Sequence, residues 1–194
     1  MKAYVINLDT RPERMESFNK NRFPFPVERF PAIVSPVPGH GEYGCALSHL
    51  AVLRQATEYP FVVFEDDCVL LEDWQVVKMA LKQIPNNWDA LWLGANIHKR
   101  LQRVSQNLFR LKRAWCLHAV IYNSKEMVNF ILQNYDSTIA KDIDVFYHDY
   151  IMEHFSCYIT YPIVATQLSD RSDISLIQTH NAEEIVANYN KSTQ

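Results

Sequence analysis

The apolar residues of this chain fall in short unbroken blocks separated by amphipathic stretches. Tyr4-Val5-Ile6, Phe61-Val62-Val63-Phe64 and Ala90-Leu91-Trp92-Leu93 show no polar alternation. Blocks of this kind read as strands buried on both faces, as in parallel sheets covered by helices. Between them the period changes. Pro12 opens a helix after the first block, and Ala46, Leu47, Leu50 and Leu53 mark a helical stripe from Cys45 to Thr57 that Pro60 ends. Asp73 is placed to cap a helix from Trp74 to Ile84, stopped by Pro85-Asn86-Asn87. The order strand, helix, strand predicts a right-handed crossover between parallel strands, with the Gly94 loop at the same sheet end as Asp66 and Asp67.

Farther along, Leu108 to Arg113, Cys116 to Tyr122 and Cys157 to Tyr161 read as strands. Ser124 caps a predicted helix to Gln133, and Asp142 one that runs to about Phe155. Asn181 with Glu184 resembles a capping box opening a last helix through Tyr189, with Lys191 to Gln194 expected to fray. The five prolines between Phe23 and Pro38 predict an extended connection with one edge strand near Glu28 to Ile33. His98 to Asn107, basic and polar, reads as a mobile loop. Together these elements predict one α/β domain over residues 1–194, a three-layer sandwich with a mostly parallel central sheet.

Composition narrows the classes. A 48% hydrophobic and 21% charged chain can build a core and is not a disordered one, and a net charge of -3 offers no electrostatic footprint for nucleic acid. No run of about 18 apolar residues predicts a membrane span, and Met1 to Asn7 turns polar too soon for a signal peptide. The expected address is cytoplasmic, with peripheral contact at the cytoplasmic membrane face left open. Cys45, Cys68, Cys116 and Cys157 are too scattered for a structural zinc motif and read as buried free thiols.

Chemistry concentrates where the Phe61 block ends, in Glu65-Asp66-Asp67. Three adjacent carboxylates in a cleft require a compensating positive charge, and a divalent metal is the simplest source. The alternative is a solvated acidic turn. Arg11 and Arg14, three residues apart at the first strand-to-helix junction, suit a diphosphate, or else pair on the surface with Asp9 and Glu13. Ser48 and His49 sit in the first turns of their helix, where His49 reads first as a structural hydrogen-bonder. Arginines and carboxylates at one crevice fit a diphosphate bridged by a hard cation.

Ile6-Asn7-Leu8-Asp9 with Arg11 and Arg14, then Gly41-Glu42-Tyr43-Gly44-Cys45-Ala46-Leu47-Ser48-His49, then Phe64-Glu65-Asp66-Asp67 stand in a telling order. With Trp88 to Gly94, His118 to Tyr122, Asp142-Ile143-Asp144, Gln167 and Ser172-Asp173-Ile174, they resemble family 25 of the glycosyltransferases, from residue 2 to about 174. That family includes bacterial lipooligosaccharide galactosyltransferases and collagen galactosyltransferases. The resemblance implies a GT-A-type fold, a UDP-sugar donor (UDP-galactose or UDP-glucose most often), Mn²⁺ or Mg²⁺, and a glycan or glycoprotein acceptor. It implies that Asn7, Leu8, Arg11, Arg14, Glu42, Ser48, Asp66 and Gly94 line the donor site, with Glu65 and Asp67 on the metal. Asp144, then Asp142, would be the general base of an inverting displacement, unless both only cap their helix. His180 would be a third metal ligand or a surface histidine.

Two other functions fit the same residues less well. A sugar-nucleotide or glycan-binding module without turnover would keep the same ligand-binding groups. A haloacid dehalogenase-type phosphatase would need Asp where Glu65 stands and a glycine after Asp67, where this chain has Cys68.

Overall fold

The structure is a computed structural model that describes residues 1–97, 99–136, 142–168 and 182–193. Strand β1 (Lys2–Asn7) leads through helix α1 (Pro12–Phe18) to the edge strand β2 (Glu28–Pro31). Helix α2 (Gly41–Gln55) precedes β3 (Phe61–Glu65) and the short β4 (Cys68–Leu70). Then come α3 (Trp74–Gln83), β5 (Ala90–Trp92), β6 (Gln102–Ser105), β7 (Leu108–Arg110) and β8 (Ala119–Tyr122). Helix α4 (Lys125–Asn134) follows, and α5 (Ile143–Phe146) passes through a π-helical stretch, Tyr147–Ile151, into α6 (Met152–His154). Strands β9 (Cys157–Thr160) and β10 (Ala165–Gln167) and helix α7 (Ala182–Ser192) complete the described chain.

One sheet of order β2-β1-β3-β8-β5-β9-β7-β6 organises the molecule. β1 pairs in parallel with β2 and β3, and β5 with β9, whereas β8 runs antiparallel to both of its neighbours and β7 to both of its own. The sheet is therefore mixed, with most strands pointing one way. The unbroken apolar blocks are explained by cover on both faces. Tyr4, Ile6, Phe61, Val63, Trp92, Val120 and Tyr122 pack with residues of α2, α4, the α5 to α6 segment and α7. Ala3, Val5, Val62, Phe64, Leu91 and Ile121 pack with Phe18 of α1 and with α3. Three layers result, as expected. A fully buried side chain of the size of Phe61 or Leu91 contributes about 1.5–3 kcal/mol.

Two predicted caps hold: Asp73 accepts from the Gln75 amide and Ser124 from the Met127 amide, whereas Asp142 makes no side-chain cap hydrogen bond and Asn181 lies outside the described residues. Four features differ from the sequence expectation. β3 and β5 point the same way but are not neighbours, because β8 inserts between them with antiparallel pairing. The stretch read as a mobile loop contains β6, an edge strand paired with β7. Its apolar pattern is absent because its side chains face solvent, and Arg103 instead lies 4.9 Å over the Phe109 ring and 4.8 Å over the Tyr161 ring. β4 and β10 form a second, two-stranded antiparallel sheet that no periodicity announces. Helix α7 also continues past Tyr189, with Ser192 buried and its carbonyl accepting from the Leu101 amide. No helix among the described residues is long and apolar enough to cross a membrane.

Candidate active site

The parallel pairing of β1 with β3 sets Ile6 opposite Glu65, so Asn7 and Asp66 leave the sheet side by side. Asn7 is only 2% exposed, and its carboxamide is fully used. Nδ2 donates to Asp66 Oδ2 at 2.7 Å and to the Arg11 carbonyl at 3.0 Å, while Oδ1 accepts from Arg29 Nε at 2.8 Å. Arg14 Nη1 reaches the other Asp66 oxygen at 3.3 Å. Asp66 thus clasps the β1–α1 junction to the end of β3. Burial still pushes its carboxyl above the ordinary range, against the pull of Asn7 and Arg14.

Glu65 and Asp67 face a different set of partners. Glu65 Oε1 lies 3.0 Å from His49 Nε2 of α2. Gln167 Nε2, brought in by the β4–β10 pairing, donates at 3.4 Å to Glu65 Oε2 and at 3.3 Å to Asp67 Oδ2. Asp67 Oδ1 is buried and has no hydrogen-bond partner among the described residues. Burial raises the Asp67 carboxyl well above its usual value, and the charges of Glu65 and Asp66 push the same way. Glu65 moves down, because the His49 hydrogen bond and nearby positive charge outweigh its own burial.

Asp144, in the first turn of α5, belongs to the same neighbourhood. Its Oδ2 accepts from the Cys116 amide at 3.4 Å, an amide aimed there by a left-handed Cys116 backbone, φ 76°. Burial raises its carboxyl, with Asp142 and Glu65 adding to the effect. Burial also pushes the Cys45 thiol up, and the charges of Glu65, Asp144, Asp67 and Asp142 all act on it. The charges of four carboxylates, from two elements far apart in sequence, therefore act on one thiol. Asp142 is the exposed N-cap residue of α5 and makes no side-chain cap hydrogen bond.

Several sequence candidates have other engagements. Arg11 Nε pairs with Glu13, which matches the surface alternative for this arginine, and Arg14 holds Asp66. Asp9 pairs with Arg29 rather than with either of them. Ser48 is buried: its hydroxyl donates to the Gly44 carbonyl at 2.7 Å and accepts from the Ile33 amide at 2.8 Å, which binds the proline-rich segment to α2. Both its bonds lie within the protein interior. Gly94 has a packing reason of its own. A Cβ there would stand 1.8 Å from the Ala165 carbonyl oxygen and 2.7 Å from His118 Nε2, so the β5 end and β10 meet only because the side chain is missing. Glu42 stands one turn before Ala46, with its Oε1 2.7 Å from His40 Nδ1, and half-buried Leu8 offers its carbonyl to the Arg11 amide. His180 lies outside the described residues.

Arg29, His49 and Gln167 enter the site from residues that the sequence reading gave no donor or metal role. Gln167 and His49 stand among the residues that carry the family resemblance, though without an assigned role, and nothing in the sequence singled out Arg29. The donor set suits a hard divalent cation. With Asp66 occupied by Asn7 and Arg14, Glu65 and Asp67 supply oxygens served by one shared Gln167 donor, and one of those oxygens is buried without a partner.

The sequence pattern of glycosyltransferase family 25 (LPS biosynthesis protein) matches residues 39–158. No curated protein matches the chain in sequence. Among solved structures, A197 from STIV is similar over 93% of this chain and 95% of its own, with 12% identity and a TM-score of 0.51, a likeness of fold alone. UDP-glucose pyrophosphorylase complexed with UDP-glucose is more distant, at 8% identity and a TM-score of 0.46 over 97% of this chain and 79% of its own.

Proposed function

Since the chain belongs to glycosyltransferase family 25, we propose that it moves a hexose, galactose or glucose, from a UDP-sugar to a hydroxyl of a glycan or glycoprotein, with inversion and with the help of a hard divalent cation. The observation that carries this reading is the buried Asp67 oxygen beside Glu65, which has no hydrogen-bond partner among the described residues, with the carboxyl of Asp144 close enough to feel the Glu65 charge. Glu65 and Asp67 are the groups that would hold Mn²⁺ or Mg²⁺. When bound, such a cation neutralises the charge that grows on a departing diphosphate. Asn7, Asp66 and Arg14 form a rigid floor for the nucleotide, since each is already fixed by the others.

Asp144 is the base of the proposed step. The acceptor oxygen attacks the anomeric carbon as the bond from that carbon to the UDP oxygen breaks. UDP leaves with the bonding electrons, and the acceptor proton passes to Asp144. A carboxyl raised above its ordinary range by burial is better matched to that proton near neutral pH than a solvated one.

A thermal-shift screen of UDP-, GDP- and CMP-sugars with and without Mn²⁺, followed by assay of UDP release with glycan acceptors, tests the reading. A UDP-sugar that raises the melting point only with metal present is the expected result. A nucleotide sugar of another base, or stabilisation indifferent to metal, would overturn it.

A further inference from the structure

Cys45 and His49 lie four residues apart on α2, so their side chains leave one face of the helix. The third member of the group is Glu65 at the end of β3, already 3.0 Å from His49 Nε2. One ligand atom from each of the three residues lies within 4.8 Å of the others. Around a tetrahedral zinc ion, with bonds of about 2.0–2.3 Å, ligand atoms stand about 3.3–3.7 Å apart. A contraction of about 1 Å would therefore close this cluster on an ion.

The donor types differ from those of the neighbouring carboxylates. Sulfur and imidazole favour zinc-class cations, whereas Mg²⁺ and Mn²⁺ favour oxygen. His49 is buried, with its Nδ1 unpartnered among the described residues, while Cys45 and Glu65 are half-buried. Three protein ligands leave one position of a tetrahedral ion open, unlike the closed four-ligand shell of a structural zinc site. Spacing conventions for zinc miss this group because one helical turn supplies two ligands and a strand supplies the third.

We propose that Cys45, His49 and Glu65 form a binding site for a zinc-class divalent cation, which shares Glu65 with the oxygen site of Asp67 and differs from it in its sulfur and imidazole donors. The proposal stands whether or not the chain transfers sugar.

Cobalt(II) is the probe, because a thiolate ligand gives it a near-ultraviolet charge-transfer band. Titrating the metal-free full chain with CoCl₂ is expected to give a saturable band at one equivalent, which Zn²⁺ displaces and Mg²⁺ does not. Cys45→Ser is expected to abolish the band and to weaken zinc binding by more than about 100-fold, above the cost of losing a ligand's supporting hydrogen bond. Cys116→Ser is expected to keep it. On the wild-type chain, where folding is not in question, Zn²⁺ is expected to slow alkylation of Cys45 at least about tenfold relative to Cys116, read by mass spectrometry, in keeping with a metal-bound thiolate. Absence of a thiolate band in the wild type, a band that survives in Cys45→Ser or vanishes in Cys116→Ser, or equal alkylation with and without zinc would overturn the proposal.

Discussion

Replacing Asp67 by asparagine separates what the acidic cluster costs the fold from what it does with metal. Gln167 Nε2 lies 3.3 Å from Asp67 Oδ2 and 3.4 Å from Glu65 Oε2, so those two oxygens can be no farther apart than the sum of the two distances. At roughly 6 Å and an effective dielectric of about 20, two carboxylates repel by about 3 kcal/mol. Burial and the charges of Glu65 and Asp66 both disfavour the ionised form of Asp67. Neutralising it at pH 7.5 should then recover part of that repulsion, about 1–2 kcal/mol. In a chain of this length that is an increase in melting temperature of about 2–8 °C.

With Mn²⁺ at about a hundred times its dissociation constant, the wild type should gain about 2.7 kcal/mol and Asp67→Asn little or nothing, so the order of stabilities reverses. Scanning fluorimetry in EDTA and in MnCl₂ reads both halves. A variant that melts no higher than wild type in EDTA would refute the repulsion argument. One that gains as much from Mn²⁺ as wild type would refute Asp67 as a metal ligand.

The same group sets a pH dependence. With its folded carboxyl raised above the unfolded value of 3.8, Asp67 favours the folded state at low pH and loses that contribution as pH climbs through the raised value. The stability gap between Asp67→Asn and wild type in EDTA should therefore be small near pH 4 and larger at pH 8, as urea titrations at each pH would show. Asn7→Ala removes a buried donor to Asp66 and leaves Arg29 Nε without its acceptor. A loss of about 1–3 kcal/mol is expected in chemical denaturation, and an unchanged midpoint would deny the clasp its role. Gly94→Ala forces a methyl against the Ala165 carbonyl and should destabilise by about 3 kcal/mol or more, or prevent folding, as measured by circular dichroism of the purified variant. Asp144→Asn should keep donor binding by calorimetry while transfer falls about 10²–10⁴-fold; a wild-type rate would remove it as the base.

Much of the architecture is readable from local pattern. Phe61 to Phe64 announces a strand buried on both sides because a chain covered on two faces has no use for alternation. Asp73 and Ser124 announce helix starts because a short oxygen-bearing side chain satisfies amides that the helix leaves free. The acidic run announces a site because like charges do not gather in a cleft without a reason. Arg103 shows the opposite case: nothing local says that a polar stretch will be an edge strand when its stabilising contacts are the rings of Phe109 and Tyr161.

Residue order and type along the chain determined the layers, the strands and the fact that carboxylates cluster after β3, since periodicity, capping and charge are properties of neighbours in sequence. Tertiary structure alone decided that β8 separates β3 from β5, that Asp66 binds Asn7 and Arg14 while Asp67 keeps an unpartnered oxygen, and that Cys45, His49 and Glu65 converge. Those outcomes depend on distances through space between segments many residues apart. A carboxylate's partner, and so its protonation and its chemistry, is set by what lies within about 4–6 Å of it, which the order of residues does not encode locally.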